Sequence, residues 1–156
     1  MSTQSKLVSI LSICVVILTT RALRAVMALA ADRDGVAREY ATDYAVTFEL
    51  GAPTLQRARA DGLSWDDAIV ETYLTLLAAA PDTHVARKLG HAAAADISRS
   101  SRAVLAAGGV RSAVGRRRTA AFDLALRDAS NARNPGTTAD LTAAAIFAVL
   151  IEGGWS

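Results

Sequence analysis

Three short polar clusters stand out in a chain otherwise rich in alanine and aliphatic side chains. The first is Asn134-Pro135-Gly136-Thr137-Thr138-Ala139-Asp140-Leu141, followed by an apolar run to Ile151. Pro fixes φ, Gly admits φ > 0 and Asn bonds nearby backbone, so the segment is a tight turn feeding a helix. Thr137 and Asp140 have the spacing of a capping box, and free N–H groups at such a helix start attract anions. Thr137 and Thr138 would add hydroxyls to that site. Asp140, on the first turn of an apolar helix, is expected to be buried, and costly there unless a metal or an arginine pairs with it. The second cluster is Asp82, His84 and Lys88. A helix starting near Thr83 puts His84 and Lys88 four apart on one face, with Asp82 at its N-terminus. Asp82 then either caps the helix after Pro81 or takes part in chemistry, and His84 is either a surface or a working histidine. The third is Asp32 and Asp34, two carboxylates in a loop before a helix, with Arg33 and Arg38 close by. Asp34 caps the helix, or the pair holds a cation.

These clusters need helices to position them, and almost the whole sequence reads as helix. One or two helices span 5–31, up to the break Asp32-Arg33-Asp34-Gly35. Val36 to Leu50 is amphipathic and Gly51 is its expected stop. A short helix starts at Ala52-Pro53-Thr54 and ends at Asp61-Gly62. Ser64 and Asp67 form a capping box that opens a helix to about Ala80. Thr83 to Ala107 reads as one helix closed by Gly108-Gly109, and Ser112 or Ala113 to about Ser130 as the next. The last, Thr138–Ile151, has only Thr142 as a polar residue between Leu141 and Ile151, so it is expected inside the core with no solvent face. No alternating strand pattern and no internal repeat is evident. The expectation is an all-α, single bundle-like domain of roughly six or seven helices.

Composition narrows the function classes. At 156 residues the chain can build one real core. Seventeen basic residues against 15 acidic ones give a net charge of only +2, and aromatics are 5%. Neither a basic footprint nor a stacking platform for nucleic acid is present. Arg116-Arg117-Arg118 reads as a solvated helix start or a phosphate contact. Cys14, alone in an apolar run, excludes an intrachain disulfide and reads as an inert thiol. Two distant histidines, His84 and His91, offer no zinc spacing with it. Leu7–Leu18 is too short to span a bilayer; a buried helix, a remnant leader, and a signal or anchor all remain open.

The three clusters together resemble the triphosphoribosyl-dephospho-CoA synthase family. Asn134 to Leu141, with Phe147 and the closing Glu152-Gly153-Gly154-Trp155, is similar to that family's C-terminal end. Asp32-Arg33-Asp34-Gly35-Val36-Ala37-Arg38-Glu39-Tyr40 is similar to its acidic segment before an Ala-Arg-Glu-Tyr stretch. Pro81-Asp82-Thr83-His84-Val85-Ala86-Arg87-Lys88 is similar to its Asp-Thr motif. The motifs occur in the family's order, and the likeness covers about residues 21–155. The family's N-terminal half, with a Thr-Pro-Lys-Pro-Gly segment and an Asn/Gly-rich motif, has no counterpart here. The expectation is a truncated, C-terminal half: residues 1–20 an apolar leader outside the likeness, native, signal-like or frame-shifted in origin, and residues 21–156 the helical synthase-like domain.

The resemblance implies a helical, cytoplasmic transferase of prosthetic-group biosynthesis. Its reaction joins the 2′-hydroxyl of 3′-dephospho-CoA to C1 of the ribose of ATP and releases adenine. Such a displacement passes through an oxocarbenium-like state and needs an acid for the leaving base, a base for the hydroxyl, and Mg²⁺ with cationic groups for the triphosphate. On that reading Asp32 and Asp34 bind metal, and Asp82 and His84 move protons. Arg38, Lys88, Asn134, Thr137, Thr138 and Asp140 bind ATP. The three helix starts are expected to converge in one polar pocket. Expected partners are ATP, 3′-dephospho-CoA, and either a second copy or a missing N-terminal half; nucleic acid and membrane are not among them. The alternative is a non-catalytic remnant that binds nucleotide or a partner.

Overall fold

A computed structural model describes residues 18–127 and 129–154. Most of the Leu7–Leu18 run, Cys14 and Trp155 lie outside the described residues. Among those described there are eight helices and no strand, an all-α fold. The chain divides into two compact units, residues 1–43 and 44–156.

In the first unit residues 18–28 are helical (α1) and a turn over 29–33 leads to α2, Gly35–Ala41. Asp34 is the N-cap of α2, its carboxylate accepting from Ala37 N–H at 3.0 Å. Arg38 reaches back to donate to the carbonyls of Ala31 and Asp32, at 2.9 and 3.3 Å, which closes the turn. Arg24 pairs with Asp43 across the unit.

The second unit is built around α4. A π-turn, Thr47–Gly51, runs straight into α3, Ala52–Ala60. Gly51 is therefore not the helix stop that its type suggests. It is buried against α8, and a Cβ there would lie 2.8 Å from the Cβ of Ala145. The glycine serves close helix approach rather than termination. Then come α4, Trp65–Ala79; α5, Thr83–Leu89; and α6, His91–Ala106. A 3-10 turn at Gly109–Arg111 precedes α7, Ala113–Leu126, and α8, Gly136–Ile151, completes the unit. The single helix expected over Thr83–Ala107 is two, because Gly90 has φ 88°, outside the helical region.

Helix α4 packs on α3, α6 and α8. Ala52, Leu55, Ala58, Ala68, Ala148 and Val149 form one buried cluster; Leu77, Val85, Ala94 and Ile97 form another. Alanine supplies close approach and leucine the volume, which is how an aromatic-poor chain reaches a packed core. Truncating fully buried Leu77 to alanine would cost about 2–5 kcal/mol. Polar groups tie the layers together. Ser101 and Ser98, both buried on α6, donate to the carbonyls of Leu74 and Ala78 on α4. Arg111 forks onto Glu71 and reaches Asp61, while Arg116 grips Asp67 with two bonds of 2.7 Å.

Helix α8 departs from its expected placement. Thr138, Thr142, Ala145, Ala148 and Val149 are buried, but Ala139, Ala143, Phe147, Leu150 and Ile151 are exposed. Only one face lies in the core, although both faces are apolar.

Candidate functional site

The N-termini of α5 and α8 meet. Asp82, 2% exposed, is the N-cap of α5: one carboxylate oxygen accepts from the N–H groups of His84 and Val85, at 2.8 and 3.0 Å. The other oxygen accepts from the N–H and the hydroxyl of Thr138 on α8, at 2.7 and 2.8 Å. One buried carboxylate thus satisfies donors at two helix starts, the favourable place for negative charge. Thr83 and Thr137 add a hydroxyl–hydroxyl bond of 2.9 Å across the same junction. The ring of His84 lies against Gly136, where a Cβ would be 3.4 Å from the ring's Cγ.

The expected Thr137–Asp140 capping box is absent. The helix starts at Gly136 with Pro135 as N-cap and no capping side chain of its own. Asp82 caps it from another helix instead. Asp140 is exposed, so the burial expected for it is overturned; Thr138 takes the buried position of the first turn. Asp140 lies two residues on from Thr138, about 200° round the helix, and so faces solvent.

His84 is half-buried, and its Nδ1 accepts from the guanidinium of Arg87 at 2.9 Å, which leaves the neutral ring's proton on Nε2. Lys88 is exposed, one turn along α5. Asn134 is exposed beside the start of α8. Asp82, His84, Thr137 and Thr138 therefore come together. Asp32, Asp34 and Arg38 belong to the first unit. There Asp32 is exposed beside Arg33, Asp34 caps α2, and Arg38 holds the turn carbonyls. Among the described residues no three His, Cys, Asp or Glu side chains gather as a metal cluster.

Next to the α5–α8 junction, α4, α7 and α8 enclose a trough of about 800 Å³. Asn134 and Pro135 lie at its border, and its walls are mainly apolar, among them Tyr73, Phe122, Leu126 and Ile146. Burial, then the negative charges of Asp82 and Asp123, hold the Tyr73 hydroxyl protonated far above a tyrosine's ordinary range. Sequence reasoning missed Thr83 and this trough. Thr83 sat between two selected residues; the trough has no local signature, because three distant segments build it.

The family described as ATP:dephospho-CoA triphosphoribosyl transferase matches residues 18–156. The chain belongs to that family. Among curated relatives, a protein of Pseudomonas fluorescens named probable 2-(5''-triphosphoribosyl)-3'-dephosphocoenzyme-A synthase is 33% identical over 120 residues, 77% of this chain and 40% of its own. One of Pseudomonas aeruginosa with the same name is 38% identical over 109 residues, 68% of this chain and 36% of its own. The 2-(5''-triphosphoribosyl)-3'-dephosphocoenzyme-A synthase of Klebsiella pneumoniae is 36% identical over 104 residues, 67% of this chain and 36% of its own. The chain thus spans about two fifths of the length of these relatives. No solved structure matches it. Among the described residues no helix is long and apolar enough to cross a membrane.

Proposed function

We propose that this triphosphoribosyl transferase family member contributes the ATP-handling part of the transfer of triphosphoribose from ATP to 3′-dephospho-CoA with release of adenine. The observation that carries this reading is the junction where Asp82 joins the starts of α5 and α8, with His84 and Thr137 at its edge. Polyphosphate binds beside the start of α8, drawn by the positive end of the helix dipole, the Thr137 hydroxyl and Lys88. Asn134 and the exposed Asp140 flank it. His84, its Nδ1 engaged by Arg87, offers its Nε2–H as a hydrogen-bond donor to the departing adenine. Asp82 acts as a positioning residue, since all four of its hydrogen bonds go to the two helix starts, and Thr138 is its anchor.

In the first unit, Asp32 is the better placed ligand for Mg²⁺. Asp34 is committed to capping α2, and Arg38 to closing the turn. Mg²⁺ needs only one or two carboxylates, water completing its shell, and the exposed Asp32 fits that demand.

A second reading is favoured by the chain's two-fifths share of its relatives' length: a nucleotide- or partner-binding module that acts without turnover, alone or after pairing with a second copy or with the rest of a synthase fold. The deciding experiment titrates the folded chain with ATP, with and without Mg²⁺, and measures adenine release in the presence of 3′-dephospho-CoA. Mg²⁺-dependent binding weakened by Lys88→Ala supports the ATP site, and adenine release supports the transferase. Binding without release assigns the module. No ATP binding by a folded sample removes the ATP-site reading.

A further inference from the structure

On the second unit an apolar trough borders α8, whose outer face is apolar as well. Helix α7 packs on α6 and the 3-10 turn, and a trough is left between it, α4 and α8. Val70, Tyr73, Phe122, Leu126, Ala143 and Ile146 are among its lining residues. Its volume would admit a small ligand, but the apolar surface does not stop at its rim. Ala139, Ala143, Phe147 and Ile151 follow at four-residue spacing on the exposed face of α8, and Phe147 and Ile151 are 64% and 66% exposed. This stripe runs for about 18 Å, the rise of twelve helical residues. A small-molecule pocket does not call for such a stripe; a helix lying along α8 does.

Size agrees. A helix about 10 Å wide rising 1.5 Å per residue occupies about 120 Å³ per residue, so the trough takes about two turns. A second copy is the rival occupant. In a twofold pair the two troughs are equivalent and would be filled alike, so the oligomeric state decides against or for it. The relatives supply another occupant: about three fifths of their length lies outside the stretch matched here.

We propose that the α4–α7–α8 trough and the Phe147–Ile151 stripe seat an amphipathic helix from that remaining part of the synthase fold. This deepens the pairing named above and does not depend on the ATP site. The guest presents bulky apolar residues at i, i+3, i+4 and i+7 to Tyr73, Phe122 and Phe147. Polar positions of the same helix face the Asp67–Arg116 and Asp123–Arg127 pairs at the trough's edge.

The test uses the full 156-residue chain and overlapping peptides from the unmatched part of the Pseudomonas aeruginosa relative. Binding is read by fluorescence anisotropy, alongside size-exclusion light scattering and a separate Mg²⁺–ATP titration. At least one amphipathic peptide should bind. Phe147→Asp and Ala143→Glu, both at exposed positions, should each weaken it at least tenfold, while Arg99→Ala on α6 leaves it unchanged and circular dichroism confirms folding. Binding by no peptide overturns the proposal, as does binding indifferent to both substitutions. A wild-type dimer made monomeric by Phe147→Asp also overturns it, by giving the face to a second copy. Displacement of the peptide by ATP alone would assign the trough to nucleotide and overturn it too. Loss of ATP binding with peptide binding intact would remove the ATP-site reading and leave this one standing.

Discussion

The Asp82 carboxylate and the Thr138 backbone are joined by a 2.7 Å hydrogen bond across 56 residues of sequence, doubled by the Thr138 hydroxyl at 2.8 Å. The bond makes one acidic side chain the cap of two helices. It is also what brings the Asp-Thr-His cluster against the Asn-Pro-Gly turn.

Replacing Asp82 with alanine should therefore destabilise the fold by about 3 kcal/mol, since a cap is lost and buried N–H groups on both helices are left without acceptors. Thr138→Val should cost less, keeping the backbone bond and losing the hydroxyl one. The double variant should be less destabilised than the sum of the two, because the residues share a contact. Urea unfolding of the four proteins measures this. Additive costs would show that the hydroxyl–carboxylate bond contributes nothing to stability.

Much of this was legible in the sequence, and where it was not the reason is specific. Asp82 as an N-cap and the turn at Asn134–Gly136 follow from local chemistry, so residue types sufficed. That Asp82 caps α8 as well depends on a tertiary contact that no local pattern encodes. Asp140 was expected to be buried because it opens an apolar helix, yet hydrophobicity all round α8 marks two different surfaces, one in the core and one exposed. Gly51 has the type of a helix stop, but its function is the 2.8 Å approach to Ala145, visible only when both helices are in place.

Gly51→Ala tests that approach. In an open helix the change would stabilise by up to about 1 kcal/mol through propensity. Here two short, rigid Cβ groups would collide, and fully buried Ala145 has no rotamer to yield. Overpacking of this kind costs about 1–3 kcal/mol and should win. The melting temperature should fall, and Ala145→Gly in the same chain should recover part of the loss. A rise in the single variant would place the two helices farther apart.

The His84 ring rests on Gly136, and the spacing there admits a methyl group but not a branched side chain. Gly136→Ala should keep the imidazole in place, whereas Gly136→Val should displace it. Under the proposed function, the valine variant should lose adenine release while retaining most ATP affinity, because the α8 dipole, the Thr137 hydroxyl and Lys88 remain. NMR signals of the His84 ring would report the displacement directly. A displaced ring with full activity would separate His84 from the chemistry.

Tyr73 gives a pH dependence of defined sign. Its phenol is held protonated by burial first, and then by the charges of Asp82 and Asp123. In the unfolded chain an ordinary tyrosine ionises near pH 10. Below that value both states carry the proton, and the contribution to stability is whole and constant. Above it the unfolded state releases a proton that the folded state retains, so stability falls as pH rises, by up to about 1.4 kcal/mol per unit from this one group. Other groups titrate in alkali as well, so the measurement is the difference between wild type and Tyr73→Phe in urea unfolding from neutral pH upward. The wild type should lose stability more steeply above pH 10, and the two slopes should agree below it. Asp123→Asn removes only a smaller contribution, so it should soften the alkaline slope without abolishing it. Equal slopes in wild type and Tyr73→Phe would mean that the hydroxyl is solvated, and that the trough wall is more open to water than its apolar lining implies.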